Sequence, residues 1–171
     1  MQYIEINDDG DKFYFSNKKM TVLHREDRPA IEYANGSKEW YLNGELHRED
    51  GPAVERVDGY KSWWLNDKRH REDGPAVEFA SGYKEWYING KLHRKDGPAV
   101  KYANGDKFWF IYGKRHREDG PAIERANGYK EWYLDNVEYA EKEFNAKMNP
   151  PTCNGKEVII DGKTYTLTLK D

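Results

Sequence analysis

Apolar and polar positions alternate along most of this chain in runs of about five residues, too short for helices. Pro29-Ala30-Ile31-Glu32-Tyr33, Lys38-Glu39-Trp40-Tyr41-Leu42 and Leu46-His47-Arg48-Glu49 are such runs, rich in aromatic and β-branched residues, and they predict three strands. Asn35-Gly36 and Asn43-Gly44 separate them, and Asn-Gly is a hairpin signal because both residues tolerate positive φ. Asp58-Gly59, Asn66-Asp67 and Ser81-Gly82 occupy the same slots further on. Pro29 stands at a strand entrance, where no ladder N–H is required.

The pattern repeats without insertion or deletion. His24, His47, His70, His93 and His116 are 23 residues apart and are all the histidines of the chain. Each opens a variant of the run His47-Arg48-Glu49-Asp50-Gly51-Pro52-Ala53-Val54-Glu55, so frames 24–46, 47–69, 70–92, 93–115 and 116–138 tile the middle of the sequence. A fixed period in the twenties predicts one supersecondary unit stacked on copies of itself. Residues 1–23 are expected to form a capping half-repeat, in which Lys12, Tyr14 and Phe15 stand where Lys38, Trp40 and Tyr41 stand later. Beyond Glu138 the pattern stops. Tyr139–Met148 reads as a short helix with Ala140, Phe144 and Met148 on one side, ended by Asn149-Pro150-Pro151. A hairpin of 157–160 and 163–169 about Asp161-Gly162 completes a C-terminal cap over 139–171. The predicted fold is all-β: tandem 23-residue hairpin/meander repeats in an elongated sheet, with a helix and hairpin as cap.

Two-residue turns at both sites would place Ile31 opposite Trp40 and Tyr33 opposite Lys38, then Trp40 opposite His47 and Glu39 opposite Arg48. One face would then carry Pro29, Ile31, Tyr33, Lys38, Trp40, Leu42 and His47 and form the core. The other would carry Ala30, Glu32, Glu39, Tyr41 and Arg48. This register sets Glu32 against Glu39, which costs about 0.2–1 kcal/mol for like charges directly opposite.

Composition narrows the function classes. Charges are dense but balanced, 28 basic against 31 acidic for a net −3, which fits neither a general nucleic-acid binder nor a polyanionic mimic. Aromatics are 15% of the residues within a hydrophobic total of only 37%, so buried surface must come largely from rings. The single cysteine, Cys153, allows no intrachain disulfide. No apolar run approaches a membrane span, and Met1–Ile6 lacks a basic region followed by an apolar one, so a cytoplasmic location is expected.

The five histidines, with Asp27, Asp50, Asp73, Asp96 and Asp119 three residues on, invite a metal reading. Stacked copies lie roughly 10 Å apart, whereas zinc ligands converge to about 2 Å from the ion. The expectation is therefore no metal and no cofactor, with each imidazole packed beside a tryptophan. Arg25, Arg48, Arg71, Arg94 and Arg117 recur in every unit, which favours charge-paired stitching over catalysis at one point, although a ladder of phosphate-binding arginines has the same pattern. No nucleophile–base constellation stands apart from the repeats, so no enzyme is expected. Trp40, Trp63, Trp86, Trp109 and Trp132 are assigned to the core. Their neighbours Tyr41, Trp64, Tyr87, Phe110 and Tyr133 then point the other way. Such a row suits partner binding or self-association, a buried second layer, or stacking on a small ligand. The candidate partner-binding residues are that row together with Arg48, Arg71 and Arg94, and Trp64 is the expected principal anchor.

Glu39-Trp40-Tyr41-Leu42-Asn43-Gly44-Glu45-Leu46-His47, with turns such as Tyr102-Ala103-Asn104-Gly105, resembles the MORN repeat over roughly residues 24–138. The His-Arg-x-Asp-Gly-Pro-Ala run is closer to a divergent MORN-like group associated with tailed phages and large DNA viruses. Arg-Glu-Asp-Gly-Pro follows His47 where typical MORN units have His-Gly-x-Gly, which sets aside the lipid and scaffold roles of that family. The resemblance implies an interaction array, hence a phage accessory protein that binds and inhibits a host protein, with a defence component as one candidate. The alternative is a sponge for a nucleotide or short oligonucleotide held by arginines and aromatic rings.

Overall fold

A computed structural model of the chain describes residues 2–150 and 156–166. Cys153, Pro151 and the end of the expected last strand at 167–169 lie outside the described residues. The N-terminal hairpin pairs β1 (Tyr3–Ile6) with β2 (Lys12–Phe15). The first full repeat supplies β3 (Ile31–Glu32), β4 (Lys38–Glu39), β5 (Tyr41–Leu42) and β6 (Glu45–Leu46). The next three repeats copy this set.

Strands equivalent to β3 and β4 join β1 and β2 in one antiparallel meander of 13 strands that runs the length of the array. Strands equivalent to β5 and β6 form a second row of hairpins beside it. Backbone bonds cross between repeats in this row too, such as Gly90 N–H to the Arg69 carbonyl at 2.8 Å and Asp67 N–H to the Leu46 carbonyl at 3.1 Å. The fold is the expected all-β array of tandem hairpin repeats, with one short helix and a hairpin at its C-terminal end.

The expected second strand, 38–42, is broken at its tryptophan. Trp40 donates its N–H to Ala53 of the following repeat at 2.8 Å and accepts from His47 N–H at 3.1 Å, so it ties both rows together. Trp63, Trp86 and Trp109 do the same with Ala76, Ala99 and Ala122. In the last repeat no further unit follows, and there the strand runs unbroken over Lys130–Leu134 and pairs with Val137–Tyr139. The break is thus imposed by the next repeat rather than by local sequence.

The second turn matches expectation. Asn43 and Gly44 both have positive φ (53° and 88°), and Tyr41 opposes Leu46. The first turn does not. Its loop has three residues, with Gly36 N–H bonded to the Tyr33 carbonyl and Gly36 at φ 93°, a type I turn closed by a left-handed glycine. Ile31 therefore opposes Glu39, and Glu32 opposes Lys38. The like-charge pair that the two-residue turn would create is replaced by an opposite-charge pair.

A one-residue slip also exchanges faces. Ile31, Val54, Val77, Val100 and Ile123 share a side with Glu39 and Tyr41, not with Trp40 as the two-residue turn had it. These five, each with its fully buried alanine neighbour, are buried in every repeat. The opposite side of the meander carries an alternating column, Lys12, Glu32, Lys38, Glu55, Lys61, Glu78 and Lys84.

The helix, α1 (Glu141–Met148), begins two residues later than predicted, because Tyr139 pairs with Trp132 as the last residue of a strand. Glu141 and Glu143 lie in its first turn and Lys147 in its last, as the helix dipole favours. Only Phe144 is buried, on a helix that packs against the last repeat's strands Lys130–Leu134 and Val137–Tyr139; Ala140 is exposed. Among the described residues no helix is long and apolar enough to cross a membrane.

Candidate functional site

The two sides of the array carry different chemistry. On the charged side, each recurrent arginine is clamped. The Arg48 guanidinium lies 4.1 Å above the Trp40 ring, Arg71 4.0 Å above Trp63, and Arg117 4.1 Å above Trp109. Arg48 Nε donates to Asp50 at 2.8 Å, and Nη1 donates to the Pro52 carbonyl at 3.1 Å and to Glu55 at 3.2 Å. The glycine of the motif makes room for this. A Cβ on Gly51 or Gly74 would stand 2.8 Å from the arginine Cζ, while neither has positive φ, so space rather than turning requires glycine there. The Arg48 bond to Asp50, and the Arg71 and Arg117 bonds to Asp73 and Asp119, hold those carboxyls below their usual range. In the half-repeat, Arg25 lies 3.8 Å above Tyr14, which stands in the tryptophan position. Between successive His-Arg loops run open grooves of 420 to 710 Å³, floored by a tryptophan and the Leu or Ile two residues on.

Arg94 differs from the others. It stacks on Trp86 at 4.1 Å and reaches the Pro98 carbonyl at 3.3 Å. Among the described residues it has no carboxylate partner.

The histidines act as turn locks. Nδ1 of His24, His47, His70, His93 and His116 each accepts the N–H of the first turn residue 19 positions on, at 3.0 to 3.3 Å. In His47 and His70 the same atom also lies 2.8 and 3.0 Å from the side-chain oxygens of Asn66 and Asn89. Among the described residues no cluster of three potential metal ligands occurs. His93 is the most buried and stacks on Tyr112 at 4.1 Å; burial, then the charge of Lys95, lowers its pKa. A lowered imidazole pKa means the unfolded chain binds the proton first. The stability that His93 contributes is thus present above about pH 6.5 and lost as pH falls below it. Urea melts between pH 7 and 5 should show this acid loss, and His93→Gln should reduce it.

The aromatic side holds the row Tyr41, Trp64, Tyr87, Phe110 and Tyr133. The row does not point away from the core as expected; the slipped register sets it beside the Ile31–Ile123 column. Four of its members are half-buried, and Tyr133 is buried against Ala122 and Ile123. Their polar tips are tied down: Tyr41 hydroxyl donates to Glu39 at 3.0 Å, Trp64 Nε1 to Ser62 Oγ at 2.7 Å, and Tyr133 hydroxyl to Glu131 at 2.8 Å. Trp64 is thereby a structural ring as well as a surface one, since Ser62 is fully buried.

Further out on the same side lies a feature that the strand pattern did not single out. Tyr60, Phe79, Tyr83, Tyr102 and Phe108 form a chain of edge-to-face contacts across three repeats, with centroids 4.8 to 5.5 Å apart. Phe79 is 42% and Tyr102 45% exposed. They occupy the residue before the first turn, which alternates with Arg56 and Arg125 in other copies. The signal was the variation at that position, which reads Tyr33, Arg56, Phe79, Tyr102 and Arg125 along the array.

The architecture defines a class, the β-hairpin repeat array with stacked arginine clamps. No family model matches the chain, and no curated protein sequence matches it.

Proposed function

We propose that the chain is a non-enzymatic protein-binding array whose aromatic side is the contact surface. The observation that carries this is the five-ring chain from Tyr60 to Phe108. A continuous aromatic strip with two exposed rings, held on a rigid bonded row and bordered by Arg56 and Arg125, has the composition of a protein-binding patch. The MORN-like resemblance supplies the setting: a phage accessory protein in the host cytoplasm, acting on a host protein. Tyr41, Trp64, Tyr87 and Phe110 form the inner lane of this surface, and Phe79 and Tyr102 its outer lane.

The test uses Phe79→Ala with Tyr102→Ala. Both rings are more than two-fifths exposed, so the double variant should melt within about 1 kcal/mol of the parent. A partner retained by the parent from host lysate, then purified, should bind the variant at least about thirtyfold more weakly, as loss of an anchor worth 2 kcal/mol predicts. Equal affinity for both chains would place the contact elsewhere.

A further inference from the structure

The opposite side of the array contains one copy that departs from the others. In four repeats the third motif residue is Glu26, Glu49, Glu72 or Glu118, and in the fourth frame it is Lys95. Glu32, Glu55, Glu78 and Glu124 likewise give way to Lys101. Elsewhere the column across the meander alternates in sign. Here it reads Lys84, Lys101, Lys107 on three adjacent strands, with Lys84 and Lys107 both directly opposite Lys101.

The same substitution releases Arg94. Its counterparts Arg25, Arg48, Arg71 and Arg117 each contact the glutamate that Lys101 replaces, at 2.8 to 3.5 Å. Arg48, Arg71 and Arg117 also bond the aspartate two residues on, whereas Arg94 does not bond Asp96. Its loop is rearranged, with Gly97 at φ 149°. Arg94 remains stacked over Trp86, bonded to the Pro98 carbonyl, and the Lys101 ammonium sits 5.8 Å from the same ring. Lys101 has its pKa lowered by burial and then by Arg94, Lys107 and Lys84, so these cations sense one another.

We propose that Lys84, Arg94, Lys101 and Lys107 form a binding site for a compact phosphate-bearing anion of the pyrophosphate class. A preorganised guanidinium fork suits two phosphate oxygens, and the three ammonium groups span adjacent strands spaced about 4.8 Å apart. The positive charge is confined to three adjacent strands, and at its far edge Lys107 already lies 3.8 Å from Glu124. Glu72 and Asp73 precede it and Glu118 and Asp119 follow it in the neighbouring loops, so a long nucleic-acid backbone laid along the array would meet carboxylates on either side. The site stands on the face away from the aromatic surface and does not depend on the protein-binding reading.

Calorimetric titration of the full chain with sodium pyrophosphate at low salt tests this. Saturable binding at one site per chain is expected. Lys101→Glu restores the residue of the other repeats, so it should fold with an equal or higher melting temperature while weakening pyrophosphate binding by about tenfold or more. A Glu55→Lys chain serves as the converse, expected to gain a second, weaker site. No saturable binding by the parent, or binding that Lys101→Glu leaves unchanged, overturns the proposal. So does tighter binding of a single-stranded oligonucleotide than of pyrophosphate, since that would require a track rather than a pocket.

Discussion

Replacing Arg71 by alanine should cost about 2–3 kcal/mol of stability, more than an exposed ion pair could account for. The side chain is the centre of its repeat's clamp. It stacks 4.0 Å from Trp63, donates to the Pro75 carbonyl at 3.2 Å and to Asp73 at 2.8 Å, and approaches Glu78 at 3.5 Å. Asp73 is exposed, so that bond contributes little by itself. The stack and the carbonyl bond are partly shielded and form the larger share. Arg71→Lys should recover less than half of the loss, because an ammonium can neither lie flat on the ring nor reach three acceptors from one plane. Urea melts followed by tryptophan fluorescence measure the effect, and hydrogen exchange shows whether it stays with the Trp63 and Trp86 repeats. Nearest-neighbour stacking predicts that it does. A loss under about 0.5 kcal/mol would mean that the arginine decorates the sheet instead of fastening it.

Raising the pH from 9 to 12 should destabilise the array through its hydrogen-bonded tyrosines while every arginine is still charged. Burial, then Glu131 and Glu138, pushes the Tyr133 hydroxyl up to about 12. Tyr41 and Tyr83 are raised further, again by burial first and then by their bonds to Glu39 and Glu85. For an acid whose folded pKa is raised, the neutral form is favoured by folding. Its stabilisation is complete below the unfolded value near 10 and lost as pH climbs from there through the folded value. Discounted for the solvent that reaches its hydroxyl, Tyr133 contributes on the order of 1 kcal/mol across that window. Stability profiles at alkaline pH should fall steeply above pH 10 for the parent. Tyr133→Phe should start lower at pH 8, since Glu131 loses its donor, and should fall less on the way to pH 12. A parallel fall in both chains would show that Tyr133 titrates freely.

The 23-residue tiling, the strand-and-turn character of each unit and the Asn43-Gly44 register were legible in the sequence, because they depend on local periodicity and on residues that tolerate positive φ. The sense of the His-Arg-x-Asp-Gly-Pro-Ala run as stitching was legible as well, since the arginine and aspartate recur in all five copies, the first of which has Arg28 for the glycine. Its geometry was not. That Gly51 makes room for the guanidinium three residues back, that the guanidinium covers the tryptophan of the preceding frame, and that the histidine accepts a turn N–H 19 residues on all depend on how the loop is seated against the next unit. The face assignment turned on one loop residue. Asn35-Gly36 fits a two-residue or a three-residue turn equally well, and only pairing across the whole meander selects the latter, by setting lysine against glutamate in most rungs. That choice moved Tyr41, Trp64, Tyr87, Phe110 and Tyr133 to the buried side and left Phe79 and Tyr102 as the exposed rings. Lys95 and Lys101 stood in the sequence as plain departures from the repeat, but their meaning required the tertiary structure, because only strand pairing brings Lys84, Lys101 and Lys107 side by side and leaves Arg94 without its carboxylates.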